Sequence, residues 1–281
     1  MAFVSEGTNL LSGVAIPNEI YLSSCKSGQP RAFNASTTLV SASSSGIPGD
    51  QGGSQPAISS DGRFVAFAST STNLTGNGNS GAQQIYLRDT CTGAGTGCSP
   101  STMLVSVDIS GTPLTGASQL PSISDDGRFV VFNTQIPQSV GVTNVVSIRD
   151  TCNSSNGAVA NCTPSTITIS AAADGTAADG PSNSSQHAVS GNGRFVVFSS
   201  SATNLISGGN PSDQVFVRDT CRSSLAANIS GCTPHTVLIS VDATGAVMGG
   251  FGAAISDDGH FAAFETTIGN VQQILLAATG F

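Results

Sequence analysis

The sequence predicts an all-β fold built from repeated four-stranded units, and three observations carry that prediction. First, one short element recurs four times: "AISSDGRFVAF" (57–67), "SISDDGRFVVF" (122–132), "AVSGNGRFVVF" (188–198) and "AISDDGHFAAF" (254–264). Its aligned residues Phe64, Phe129, Phe195 and Phe261 lie 65, 66 and 66 residues apart. Second, the recurring segments are rich in Val, Ile, Phe and Thr, which suit strands, and Gly/Ser/Asn/Pro loops separate them. Third, no stretch shows a sustained 3.6-residue apolar period.

Each unit carries four segments. Strand A reads "PAIS" and strand B "RFVAF". Strand C recurs as "QQIYLRDTC" (83–91), "NVVSIRDTC" (144–152) and "DQVFVRDTC" (213–221), with degenerate forms "NEIYLSSC" (18–25) and "VQQILLAAT" (271–279). Strand D recurs as "STTLVSAS" (36–43), "STMLVSVD" (101–108), "STITISAA" (165–172) and "HTVLISVD" (235–242). Four-stranded units repeated around an axis describe a β-propeller. The expected blades are 1–43, 54–108, 119–172, 185–242 and 252–281, within one domain. The strand tally is 3, 4, 4, 4 and 3, so about five blades are expected, with incomplete end blades. "AFVSEGTNL" matches strand B "AFASTSTNL" (66–74), which gives the first blade strands B, C and D without an A. The opening "MAFVSEGTNLL" shows neither a basic n-region nor a long h-region, so a mature product or an internal fragment is expected.

The S-x-D-G-R-F-V-A-F element resembles the WD40-like repeat of TolB-type propellers, often called PD40, over nearly the whole chain. The resemblance implies an extracytoplasmic, non-catalytic binding scaffold of bacterial type. Two departures set this chain apart. The Pro usual before the Asp is replaced by Ser60, Asp125, Gly191 and Asp257. The units also exceed the ~40–45 residues of ordinary WD40 blades.

The carboxylates of the repeat could be an acid/base set or tight turns. The repeat itself decides. Asp-Gly between two strands is a hairpin signal, because positive φ is cheap there. The four turns are Asp61-Gly62, Asp126-Gly127, Asn192-Gly193 and Asp258-Gly259. Asn192 serves the same turn yet cannot act as a base or nucleophile, so these residues are read as turn formers. Asp125 and Asp257, matched by Ser60 and Gly191, are expected to be solvated. Arg63, Arg128, Arg194 and His260 open strand B, and Arg88-Asp89, Arg149-Asp150 and Arg218-Asp219 close strand C. Residues that recur in every unit usually serve the repeat, so these charges are expected to tie strands or blades together.

Six of the seven cysteines form couples between strands C and D: Cys91/Cys98, Cys152/Cys162 and Cys221/Cys232. Their flanks stay fixed while the loop lengths vary, as expected for disulfides that staple loop ends. Zinc fits poorly, since the spacings are not C-x₂₋₄-C and each loop supplies too few ligands. Disulfides imply an oxidising compartment: secreted, cell-surface or periplasmic. Cys25 aligns with the first Cys of each couple, but Phe33 stands at its partner's place, so an unpaired thiol is expected.

Charged residues make up 9% of the 281, Lys26 is the single lysine and the net charge is -8. Without clustered basic residues, nucleic acid is a poor partner. No apolar run reaches the length of a membrane span. No cofactor is expected; calcium is the one ion left open, because loops 74–84 and 206–214 are rich in oxygen, although a D-x-[DN]-x-[DN]-G ladder is absent. With no Trp and only Tyr21 and Tyr86, both at equivalent strand-C places, a sugar-stacking surface is disfavoured. No Ser-His-Asp constellation stands out, and G-x-S-x-G does not occur. The first expectation is therefore a non-enzymatic scaffold with a protein partner. A self-associating surface or filament subunit, joined through unpaired end strands, is the alternative, and a propeller hydrolase the third.

Overall fold

The structure, a computed structural model, describes every residue except 8–9, 15, 25–35, 77–80, 138–141, 208–211 and 225–227. Cys25, Phe33 and parts of both oxygen-rich loops lie outside the described residues. Among those described, all regular structure is β apart from turns.

Five antiparallel sheets follow one another along the chain, as propeller-type blades. The first contains β1 (Ala2–Ser5), β2 (Glu19–Ser24) and β3 (Ser36–Leu39) in that order. The second contains β4 (Ser54–Ile58), β5 (Phe64–Ser69), β6 (Gln84–Asp89) and β7 (Ser101–Leu104). The third joins β8 (Ser118–Ile123), β9 (Phe129–Pro137) and β10 (Val142–Asp150) to β13 (Ser165–Thr168). Between β10 and β13 sits a small hairpin, β11 (Asn153–Ser154) and β12 (Gly157–Ala158). The fourth sheet is β14 (Ser182–Asn183), β15 (Phe195–Ser200), β16 (Gln214–Asp219) and β17 (His235–Leu238). The fifth is β18 (Phe251–Ile255), β19 (Phe261–Ile268) and β20 (Val271–Ala278).

Strand B is apolar along its length because neighbours cover both its faces. All six residues of β5 and all six of β15 are buried. The core lies between consecutive sheets. Ile20, Leu22 and Val40 of the first sheet pack with Val65, Phe67 and Tyr86 of the second. Phe64 and Leu87 of the second pack with Val130 and Phe132 of the third. Residues from β9 through β19 form one continuous cluster. Tyr21 and Tyr86 are both buried, each beside a strand-B ring, Phe3 at 5.9 Å and Phe67 at 5.7 Å.

The inner strands are bulged. Their pairing register shifts between Ser54 and Ala57, Gln119 and Ser122, and Phe251 and Ala254, with Gln55, Leu120 and Gly252 at positive φ. The fourth sheet departs from the sequence reading of strand A at "AVS". Its inner strand is β14, upstream of the expected blade start at 185, and Val189 makes only an isolated bridge to Val196. The reason is local. Residues 185–187 loop out with His187 at φ 62°, the Ser185 hydroxyl bonds to the Ala253 carbonyl, and the Ala188 amide donates to Ser122 Oγ at 2.9 Å.

Candidate functional site

The inner turns and the loops that close over them are the most elaborated face of the molecule. At each turn the carboxylate or amide oxygen is consumed locally. Asp61 Oδ1 accepts from Ser59 Oγ at 2.6 Å and from the Arg63 amide at 3.0 Å. Asp126 Oδ1 accepts from Ser124 Oγ at 2.8 Å and the Arg128 amide at 3.1 Å. Asn192 Oδ1 does the same with Ser190 Oγ and the Arg194 amide, both at 2.9 Å, and Asp258 with Ser256 and His260. Gly62, Gly127, Gly193 and Gly259 follow at φ 76–79°. These are Asx turns, in which an oxygen two residues back fixes the backbone.

The turns also interlock the blades. The Ser60 amide donates to the Asp125 carbonyl at 3.0 Å, Asp125 to Gly191 at 2.9 Å, and Gly191 to Asp257 at 2.9 Å. Three of the four turn glycines lie under a ring of the preceding blade: Phe64 over Gly127, Phe129 over Gly193 and Phe195 over Gly259, so close that a Cβ would collide with the ring. Glycine is thus required twice at these places, by φ and by the ring.

The charged residues pair differently from the neighbours suggested by sequence. Asp89, Asp150 and Asp219 are gripped in bidentate fashion by the strand-B arginines, not by the adjacent strand-C arginines. Arg63 Nε and Nη2 reach Asp89 at 2.9 and 2.7 Å, Arg128 reaches Asp150 at 2.8 and 2.8 Å, and Arg194 reaches Asp219 at 2.9 and 2.7 Å. Each guanidinium also stands 4.7–4.9 Å from the centroid of the Phe ring that follows it. Two of the strand-C arginines turn to the preceding blade. Arg88 Nη1 donates to the Ser43 carbonyl at 2.8 Å, and Arg218 Nη1 to the Ala171 carbonyl at 2.8 Å. Burial without a carboxylate partner lowers the pKa of Arg88, Arg149 and Arg218.

Cys91–Cys98, Cys152–Cys162 and Cys221–Cys232 are bonded, with Cα atoms 5.8, 5.6 and 5.6 Å apart. Two of the loops they close reach backwards to the blade before. In the 152–162 loop, Ser155 donates through its hydroxyl to Asp61 Oδ2 at 2.5 Å and accepts from Arg63 Nη1 at 3.0 Å through its carbonyl. In the 221–232 loop, the carbonyls of Ser223 and Ser224 accept from Arg128 Nη1 at 3.1 and 3.3 Å. The fifth blade has no such loop. There Phe281 packs on Phe195 at 4.8 Å, and the Arg194 side chain is 31% exposed against 0% for Arg128. Sequence reading found the loop ends but had no signal for this reach between blades.

Asp125 and Asp257 are exposed, as expected, yet they are not independent. They flank Gly191, whose absent side chain makes room for both. Partial desolvation, then the charges of Asp257 and Asp126, raise the Asp125 pKa. Pro56, Ile58 and Ser122 from two inner strands, with Gln186 and His187 from the outward loop, line a cavity of about 180 Å³. His235 is exposed, with its ring 5.1 Å from Phe281, and His260 sits 3.2 Å from Asp258 Oδ2 at the surface.

A recurring serine went unnoticed in the sequence. Ser41, Ser106, Ser170 and Ser240 each accept from the amide that opens the paired region of strand C, at 2.7–3.1 Å. The signal was the fixed Ser in "LVSVD" and its relatives.

No known family model matches the chain, and no curated protein matches it. Among solved structures it is similar to TolB from Acinetobacter baumannii, at 14% identity over 99% of this chain and 50% of that chain, with a TM-score of 0.47. It is similar to a putative TolB from Agrobacterium tumefaciens at 16% identity, covering 92% of this chain and 69% of that one, with a TM-score of 0.46. Prolyl oligopeptidase B from Galerina marginata follows at 10% identity, covering 92% of this chain and 32% of that one, with a TM-score of 0.44. The chain thus spans half the length of the Acinetobacter baumannii protein.

Proposed function

We propose that this chain is a non-enzymatic, extracytoplasmic propeller scaffold that binds a protein partner through the exposed face of its last sheet. One observation carries the reading. Among the described residues thirteen large apolar side chains are exposed, and six lie on the fifth sheet or its hairpin: Phe251, Phe261, Ile274 and Leu276 on one face, with Ile268 and Val271 at the hairpin. Ile274 is 77% exposed and Leu276 71%. A clustered apolar face of this kind marks an interaction surface. The three disulfides support an oxidising compartment. The repeated Arg–Asp pairs and Asx turns support a structural role for the recurring charges.

The test is site-specific photo-crosslinking in the cells that make the protein. A photoreactive residue at Ile274 is expected to yield a discrete adduct with another protein, and one at exposed Ile109 is expected to yield none. Equal patterns from both positions would overturn the reading. A second reading, self-association as a surface or filament subunit, is favoured by β20, which is an edge strand as well as an apolar one.

A further inference from the structure

A cavity of about 300 Å³ lies between the third and fourth sheets, where the Cys221–Cys232 loop faces β13. Two cations, Arg218 and Arg222, line it together with Ile167, Ile229 and Pro234. Arg218 is only 6% exposed. Its Nη1 is spent on the carbonyls of Ala171 and Ala172 and on Thr236 Oγ1, at 2.8, 3.1 and 2.9 Å, while its Nε is buried without a partner. Arg222 Nη1 donates to Ser165 Oγ at 2.7 Å. Among the described residues neither guanidinium is paired with a carboxylate. Asp219, the neighbour of Arg218 in sequence, is held through both oxygens by Arg194. A lone Nε also occurs at Arg88 and Arg149, so it belongs to the repeat. The second cation does not. At the place of Arg222, directly after the first cysteine of the loop, the other blades carry Thr92 and Asn153. Residues common to all blades serve the repeat, and Arg222 is not one of them.

We propose that this cavity is a binding site for a small organic carboxylate that carries a short apolar chain. The charge follows from the arginines. A buried cation without a counterion is costly, and a carboxylate supplies the missing charge. A guanidinium presents its donors in a planar fork that matches the two oxygens of a carboxylate. Arg218 and Arg222 each spend one terminal nitrogen on the protein and keep others for a ligand. Burial also lowers the Arg218 pKa, and a bound anion would offset that. The apolar chain follows from the wall. Ile167, Ile229 and Pro234 are surfaces that a bare inorganic anion would leave uncovered and that an aliphatic chain would cover. The size follows from the volume, which stands at the small end of sites for small molecules. The inference concerns a different surface and a different kind of ligand from the last sheet, so each reading can fail alone.

The test uses the whole chain, labelled with nitrogen-15, and sodium hexanoate as the probe at constant ionic strength. Amide correlation spectra are expected to show saturable shifts centred on residues 167–168, 220–222 and 228–232. Hexan-1-ol keeps the chain and loses the charge; inorganic phosphate keeps a charge and loses the chain. Each is expected to bind about tenfold more weakly than hexanoate, or worse. Arg222→Gln is expected to weaken hexanoate by about tenfold or more and to leave the melting temperature unchanged. Arg222→Lys, which keeps the charge without the fork, is expected to fall between the two. Should Arg222→Gln lower the melting temperature, Ile229→Glu decides instead: a like charge on the cavity wall is expected to abolish binding. Shifts centred on the last sheet would overturn the proposal. So would hexan-1-ol or phosphate binding as tightly as hexanoate, or an affinity that survives the deciding variant.

Discussion

Glu19 shows what a single side chain can conceal from sequence reading. It is fully buried; one oxygen accepts from the Ser41 hydroxyl, and Oε1 has no partner. Burial raises its pKa to about 7 against the opposing Ser41 bond. Gln84 holds the matching place in the second sheet. It accepts from Ser106 Oγ at 2.5 Å and donates from Nε2 to the Leu114 carbonyl at 2.9 Å. A protonated Glu19 can imitate that amide, and a carboxylate cannot. The sign follows from linkage. The folded chain holds this proton up to about pH 7, and the unfolded chain releases it near pH 4.5. Stability is therefore greatest at the low end of that window and falls as pH rises through it, by at most about 3 kcal/mol. Glu19→Gln is expected to raise the melting temperature at pH 8, to change it little at pH 5, and to flatten the profile between. An unchanged slope between pH 5 and pH 8 would refute this. The turn residues were fully legible by contrast, because four copies could be compared. Asn192 among three Asp identified the shared task as forming a turn, and the structure shows that turn held by Asx hydrogen bonds. Asp126→Asn is expected to leave the melting temperature within about a degree of wild type. Gly127→Val is expected to cost ~1 kcal/mol or more, for a β-branched residue at positive φ beneath Phe64.

At the scale of elements, strands were legible and loops were not. β5, β9 and β15 follow from apolar β-branched runs ending at turn signals, and period and composition suffice to find them. The hairpin β11–β12 and the outward loop at 185–187 depend on contacts with neighbouring blades, which lie some 50 to 95 positions away in sequence and leave no local pattern. The disulfide loops make the same point. Their cysteines predicted a staple within one blade, yet the loops also clasp the blade before. The Cys152–Cys162 loop holds Asp61 and Arg63, and the Cys221–Cys232 loop holds Arg128. Removing either of these two bridges should thus loosen a different, distant turn. Cys152→Ser with Cys162→Ser is expected to lose about 2–3 kcal/mol by loop entropy. It should also lower hydrogen-exchange protection at 59–64. Cys221→Ser with Cys232→Ser should lower protection at 124–129 instead. Loss confined to the blade that carries the removed bridge would show that the loops do not act as clasps.

For the whole molecule, the repeated junction explains both its cohesion and its exposed ends. The second-to-third and third-to-fourth junctions each combine a ring on a glycine, an amide on a carbonyl and a loop on an arginine. The fifth sheet provides the first half of such a junction and meets no second half among the described residues, and Phe261 is 48% exposed where Phe64, Phe129 and Phe195 are buried. Its outer strand adds Ile274 and Leu276, and β20 leaves one backbone edge unpaired. Apolar area of this kind favours association, and an unpaired edge favours strand addition. The sequence tally of end blades with three strands made the edges legible, but the orientation of Ile274 and Leu276 required the β19–β20 register, Glu265 opposite Ile274 and Ala263 opposite Leu276. The purified chain is expected to sediment as a concentration-dependent mixture above the monomer mass. Ile274→Asp with Leu276→Asp is expected to return it to a monomer without lowering the melting temperature, because neither side chain is buried in the fold. Adding salt should not disperse the wild-type species, since apolar contact is weakly screened while a charge-driven one is not. If the wild-type chain and the double variant both sediment as compact monomers at every concentration, the last sheet does not drive self-association, and the face is left for a different protein.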